Sequence, residues 1–176
     1  RSGQDIDCYF LTVKQLTTNY IFILNSFSII LNNGWLKMFT VQFSKDEIGI
    51  VGATGSYQSY YSSVYQKNIW RWENKKGLLH NFRKYKLFIK AFFYWRFLFK
   101  PFPNAHLRTN AFMVRRKEFL QTDPGILTSK FKAYLFENGR NSLTSQYLKM
   151  GLKALVMDKH GKTYAPNEWY KSATYW

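Results

Sequence analysis

Tyr20-Ile21-Phe22-Ile23-Leu24, followed at once by Asn25-Ser26-Phe27-Ser28, is the stretch from which the fold is read. Five apolar, β-favouring residues run without a polar interruption, the pattern of a strand covered on both faces. The polar turn then falls at the carboxyl end of that strand, the end where ligands collect in open α/β sheets. Ile48-Gly49-Ile50-Val51-Gly52 repeats the pattern as a second buried strand, Ala111-Phe112-Met113-Val114 as a third, and Ala154-Leu155-Val156-Met157 as a short fourth. Between them lie helical stretches at Cys8–Leu16, at Leu36–Phe43 after Gly34-Trp35, and at Lys117–Leu120. Strands alternating with helices make this an α/β chain.

Its 176 residues suffice for one domain with a real core, and a hydrophobic content of 46% marks a folding sequence. Cys8 is the single cysteine, which excludes an internal disulfide framework and fits a reducing compartment. His80, His106 and His160 are scattered without the spacing of a zinc site. A formal charge of +16 with 20% aromatics favours an anionic partner: nucleic acid, phospholipid headgroups or a phosphate-bearing substrate. No apolar run approaches the roughly 20 residues that span a bilayer.

The charge concentrates in an aromatic helical insert at about 65–103. Lys67 to Lys100 carries ten basic residues against Glu73, interleaved with eleven aromatics, among them Trp95 and Phe97. Its apolar residues cover too much of the circumference for a one-sided stripe. Three readings stand: a helix at a membrane interface, with Lys84, Lys86, Lys90, Trp95 and Arg96 at headgroup depth; packing on the domain itself; and stacking on single-stranded nucleic acid. Nucleic acid is the least favoured, since no RNP-type or helix-turn-helix signature accompanies the charge. The loop Ala53–Ser59 is either a close-approach ligand loop or a plain turn segment, and it lacks the spacing of a Walker loop.

Phe136-Glu137-Asn138-Gly139-Arg140 reads as the start of a helix that Gly151 closes. A carboxylate held at a loop-to-helix junction suits a catalytic base; the plainer reading is a first-turn acid with a surface arginine.

Several of these pieces, in order, resemble the inverting nucleotide-sugar glycosyltransferases of the GT-A fold, family-2 type. The run Tyr20–Ser28, the Gly34-Trp35-Leu36 helix start and the Ile48–Gly52 strand resemble that family's metal-motif strand, "gWL" helix and "vGavG" strand. Asn110–Phe119 is similar to the strand and "RR..f" turn, and Glu137–Leu143 with Gly151 to the "ED..L..R....G" acceptor helix. The resemblance implies a partial, Rossmann-like mixed sheet with helices on both sides. It implies transfer of a sugar from a nucleotide-diphosphate donor to a glycan or lipid-linked acceptor, as in cell-envelope polysaccharide synthesis. Glu137 would be the base. Asp5, Asp7, Asn25, Ser28 and Arg140 would lie by the donor diphosphate, and Trp35, Arg108 and Asn110 by the acceptor. It also implies Mg²⁺ or Mn²⁺, and a cytoplasmic enzyme, held peripherally at the inner face of a membrane through its insert.

Two departures accompany it. The acidic metal motif reads Asn25-Ser26-Phe27-Ser28, and the second acid of the acceptor helix is Asn138, which leaves open the alternative of a non-catalytic module binding an anion or a membrane surface through the basic aromatic segment 67–100. The family's first nucleotide-binding strand would precede Arg1, so the sequence is expected to be a fragment.

Overall fold

The computed structural model describes residues 5–30, 32–73, 89, 92–126 and 129–175, with the backbone alone at residues 5 and 67–73. A five-stranded mixed sheet organises them, in the order β1-β5-β2-β6-β7. Its members are β1 Tyr20–Leu24, β2 Ile48–Gly52, β5 Ala111–Arg115, β6 Lys153–Met157 and β7 Thr163–Tyr164. A small second sheet pairs β3 (Gly55–Ser56) with β4 (His106–Leu107).

The helices are α1 Asp5–Gln15, α2 Trp35–Gln42, α3 Tyr60–Glu73, α4 at residues 92–98, α5 Arg116–Gln121, α6 Lys130–Asn138 and α7 Leu143–Lys149. They cover both sheet faces. On one, α1, α5, α6 and α7 bring Phe10, Phe119, Phe136, Leu143 and Tyr147 against Ile21, Ile23, Ile50, Phe112 and Val156. On the other, α2 brings Phe39 against Val51, Met113 and Leu155, with Phe43 just beyond its end in the same cluster. Burying each such side chain contributes about 1.5–3 kcal/mol. The chain is thus a mixed α/β protein, as the alternation of runs predicts.

β2 is buried at every position, because β5 and β6 flank it and helices cover both its faces. β1 differs from the expectation. It is an edge strand whose Tyr20 and Leu24 are exposed while Ile21 and Ile23 are buried. Its unbroken apolar run reflects ring packing on α2, where Phe22 meets Trp35 at 4.6 Å and Phe39 at 4.8 Å.

Strand direction determines where a ligand could sit. β5 runs antiparallel to β1 and β2, and β2 runs parallel to β6. The carboxyl ends of β1, β2 and β6 therefore share one edge with the amino end of β5, bringing Asn25, Ala53, Asp158 and Asn110 to the same rim.

The tail after β6 carries β7 and a 3₁₀ turn at Trp169–Lys171. Trp169 is fully buried, and its indole N–H donates to the Tyr164 carbonyl at 2.9 Å. Gly55 permits this approach, since a Cβ there would lie 2.6 Å from the indole ring.

Candidate active site

Glu137 occupies the last turn of α6, not the first turn of the next helix as its sequence context suggests. Ser129 caps α6 at its start, its Oγ accepting from the Lys132 N–H. α6 stops at Gly139, whose extended backbone breaks the helix, and Ser142 starts α7 afresh by accepting from the Ser145 N–H. A carboxylate in a last turn faces the negative end of the helix dipole, an arrangement that costs about 0.3–1 kcal/mol. The loop after β4 compensates. Glu137 Oε2 accepts from the Thr109 hydroxyl at 2.6 Å and the Thr109 N–H at 2.9 Å, and Oε1 faces Arg108 Nε at 3.4 Å.

β4 is itself fixed by a buried polar network. Asn138 Nδ2 donates to His106 Nε2 at 3.0 Å and to the Gln58 carbonyl, while its Oδ1 and carbonyl accept from Asn104 Nδ2. With Nε2 accepting, the ring proton is on Nδ1, donated to the Asn104 carbonyl at 2.8 Å. The Leu107 N–H donates to Thr144 Oγ1 on α7. Asn138 therefore has a structural occupation where the resembled family has an acid: an amide can both donate to the imidazole and accept from Asn104.

Burial is the main influence lowering the His106 pKa, so the buried ring is neutral. The unfolded chain takes up a proton there below about 6.5, where the folded one resists it. Stability is thus expected to fall as pH drops below that value, by at most about 1.4 kcal/mol per pH unit. Denaturant titrations between neutral pH and pH 5 check this, and His106→Gln should flatten the slope.

Glu137 opens on a cavity of about 660 Å³. Arg108, Thr109 and Asn110 form one wall, Lys130 and Tyr134 of α6 another, with Asn25 and Tyr9 across from them. Burial, and then the Glu137 charge, push the Tyr134 hydroxyl pKa up. Four residues expected at the site, Glu137, Arg108, Asn110 and Asn25, converge here. A second cavity of about 390 Å³ at the same rim is lined by Ser28, Trp35, Thr54, Asn110 and Asp158. Asn110 borders both cavities, and its carbonyl accepts from the Asn25 N–H at 2.8 Å.

The other expected residues lie elsewhere. Arg140 is beyond the helix break, donating through Nε to the Arg96 carbonyl, in a groove separate from Glu137. Asp7 is on α1 but is not among the residues lining the Glu137 cavity, and the Asp5 side chain is outside the described residues. Trp95 turns inward against Tyr60 at 4.9 Å and Phe131 at 5.7 Å, and Arg96 lies over the Tyr61 ring at 5.7 Å. Both are half-buried, packed on rings of α3 and α6. Lys84, Lys86 and Lys90 lie outside the described residues.

Sequence reading missed Thr109, Lys130 and Tyr134. Thr109 stands between two residues it singled out. Lys130, Tyr134 and Glu137 follow helical spacing, a signal visible once α6 is recognised.

The expected divalent metal does not fit the Asn25–Ser28 turn. Asn25 Oδ1 is engaged by the Ser28 hydroxyl at 2.7 Å and the Phe27 N–H at 3.2 Å, and the turn has no carboxylate. Among the described residues no three His, Cys, Asp or Glu side chains group as metal ligands. Nor is any helix among them long and apolar enough to cross a membrane. Compared with family models, with curated proteins and with solved structures, the chain matches none.

Proposed function

We propose that the chain transfers a sugar from a nucleotide-diphosphate donor to a hydroxyl of a glycan or lipid-linked acceptor, with Glu137 as the base. The observation that carries this reading is the convergence of Glu137, Arg108, Asn110 and Asn25 on one cavity at the carboxyl end of β1. The GT-A-like fold belongs to the same proposal, supported by the mixed sheet with helices on both faces.

In the proposed step the acceptor oxygen attacks the anomeric carbon as the bond to the diphosphate oxygen breaks. The acceptor proton passes to Glu137 Oε1, the oxygen that Thr109 does not occupy. The bonding electrons leave with the nucleoside diphosphate. Lys130, a cation of the cavity wall, stabilises its growing charge, while Arg108 pairs with Glu137 on the acceptor side. Asn110 and Asn25 offer amide groups to sugar hydroxyls. Asn25 and Ser28 hold each other by hydrogen bond, so they shape the rim rather than bind a metal.

Single displacement inverts the anomeric centre. Proton NMR of the product tests this: an α-linked donor should yield a β-linked product, and retention would rule the step out. Thr109 provides a further check. Thr109→Val removes the hydroxyl at 2.6 Å from Oε2 but keeps the N–H. Loss of one hydrogen bond to a charged, largely buried carboxylate is expected to slow turnover by about 10–100-fold and to lower stability by about 1–3 kcal/mol, read by steady-state kinetics and thermal unfolding.

A further inference from the structure

Beside the Glu137 cavity, on another face of α6, runs a groove of about 990 Å³ between α4 and α6. Its character is different. Phe93, Phe97 and Ile126 stand 65%, 78% and 76% exposed along it, three large apolar side chains lining one surface. Lys132 and Arg140 border the same groove and are exposed to solvent. Among the described residues of its wall Asp123 is the one acid, with Oδ1 accepting from the Gly125 N–H.

We propose that this groove docks the protein on an anionic phospholipid leaflet, Phe93, Phe97 and Ile126 entering the acyl boundary while Lys132 and Arg140 engage lipid phosphates. Apolar side chains beside basic ones form the pattern that holds a peripheral surface at a bilayer interface. Charge complementarity selects the occupant, because a groove bordered by Lys132 and Arg140 on a chain of net charge +16 repels a second copy of itself. Crowding of cations near its Arg140 end agrees. After burial, the charges of Arg140 and Lys149 are what lower the pKa of Lys100, and an anion there relieves the repulsion. The insert still meets the membrane in this account: Phe93 and Phe97 are exposed along the groove, Arg96 lines it while lying over the Tyr61 ring, and Trp95 packs on Tyr60 and Phe131. The proposal stands independently of sugar transfer.

Vesicle co-sedimentation tests it, with phosphatidylcholine alone and mixed with phosphatidylglycerol, at low and high salt. High salt screens attraction from the whole basic chain. The wild type should bind the anionic vesicles and retain a salt-resistant fraction. Phe93→Ser/Phe97→Ser should reduce that fraction on the order of tenfold or more. Lys132→Glu/Arg140→Glu should weaken low-salt binding by about tenfold or more. All four positions are exposed, so unchanged thermal unfolding confirms that the variants fold. Equal binding to neutral vesicles, an unaffected Phe93→Ser/Phe97→Ser variant, or a wild-type dimer that this variant dissolves would each overturn the proposal. So would displacement of the protein from vesicles by soluble glycerol phosphate at high salt, which would make the groove a headgroup pocket only.

Discussion

Glu137→Gln is expected to lower turnover by about 10²–10⁴-fold, the range a positioned general base contributes. That corresponds to roughly 3–5 kcal/mol of barrier. Stability should change little, for reasons visible in the contacts. A glutamine carbonyl still accepts from the Thr109 N–H and hydroxyl, so no buried donor is orphaned. What is lost is the 3.4 Å pairing with Arg108, whose side chain is 40% exposed. The Glu137 side chain is 12% exposed, but with Arg108 solvated the pair contributes about 1 kcal/mol. Large loss of turnover with an unmoved unfolding midpoint separates a base from a structural acid. Comparable small changes in both would leave Glu137 as a carboxylate that merely fastens α6 to the β4 loop. Steady-state kinetics and circular-dichroism melting on the same preparations decide between them.

Trp169→Ala has the opposite expected signature. The indole is fully buried, sits against Gly55 and Tyr57, and donates its N–H to the Tyr164 carbonyl. Removing it leaves a void beside Gly55, which has no side chain to advance into it. Large aromatic truncations in cores cost about 3–5 kcal/mol. For a chain of this length, each kcal/mol moves the midpoint by about 2–4 °C, so the expected fall is about 6–20 °C. The tail around Trp169 closes over β3, which pairs with the strand leading to Arg108 and Thr109. Thermal unfolding is the measurement. A fall of only a degree or two would mean that the tail is not part of the core.

The four long strands were legible in sequence because apolar runs such as Ile48–Gly52 have no other stable use in a chain this charged. Their order in the sheet was not. Nothing in Tyr20–Leu24 distinguishes an edge strand padded by Phe22, Trp35 and Phe39 from a central one. The start of α3 went unread, ahead of the helical insert expected from about residue 65, since Tyr60-Tyr61-Ser62-Ser63 carries weak helix formers and is held by tertiary ring contacts such as Tyr60 with Trp95 and Phe99.

The candidate site was half legible. Glu137 was singled out from its own sequence context, Arg108, Asn110 and Asn25 from the resemblance, and all four line one cavity. The helix break at Gly139–Ser142 was invisible to a periodicity that ran through it, and this break separates Arg140 from Glu137. Thr109 was hidden because a threonine in a polar loop has no signature until its partner across 28 positions is known. Asn138 was legible only as a missing acid. Its role emerges from the three groups it satisfies at once.

The most direct test of the central claim is release of nucleoside diphosphate by the wild-type protein, measured across a panel of nucleotide-sugars with and without glycan and lipid-linked acceptors. The account predicts acceptor-stimulated release from at least one donor. No release from any donor, under conditions where the protein is folded, would contradict it.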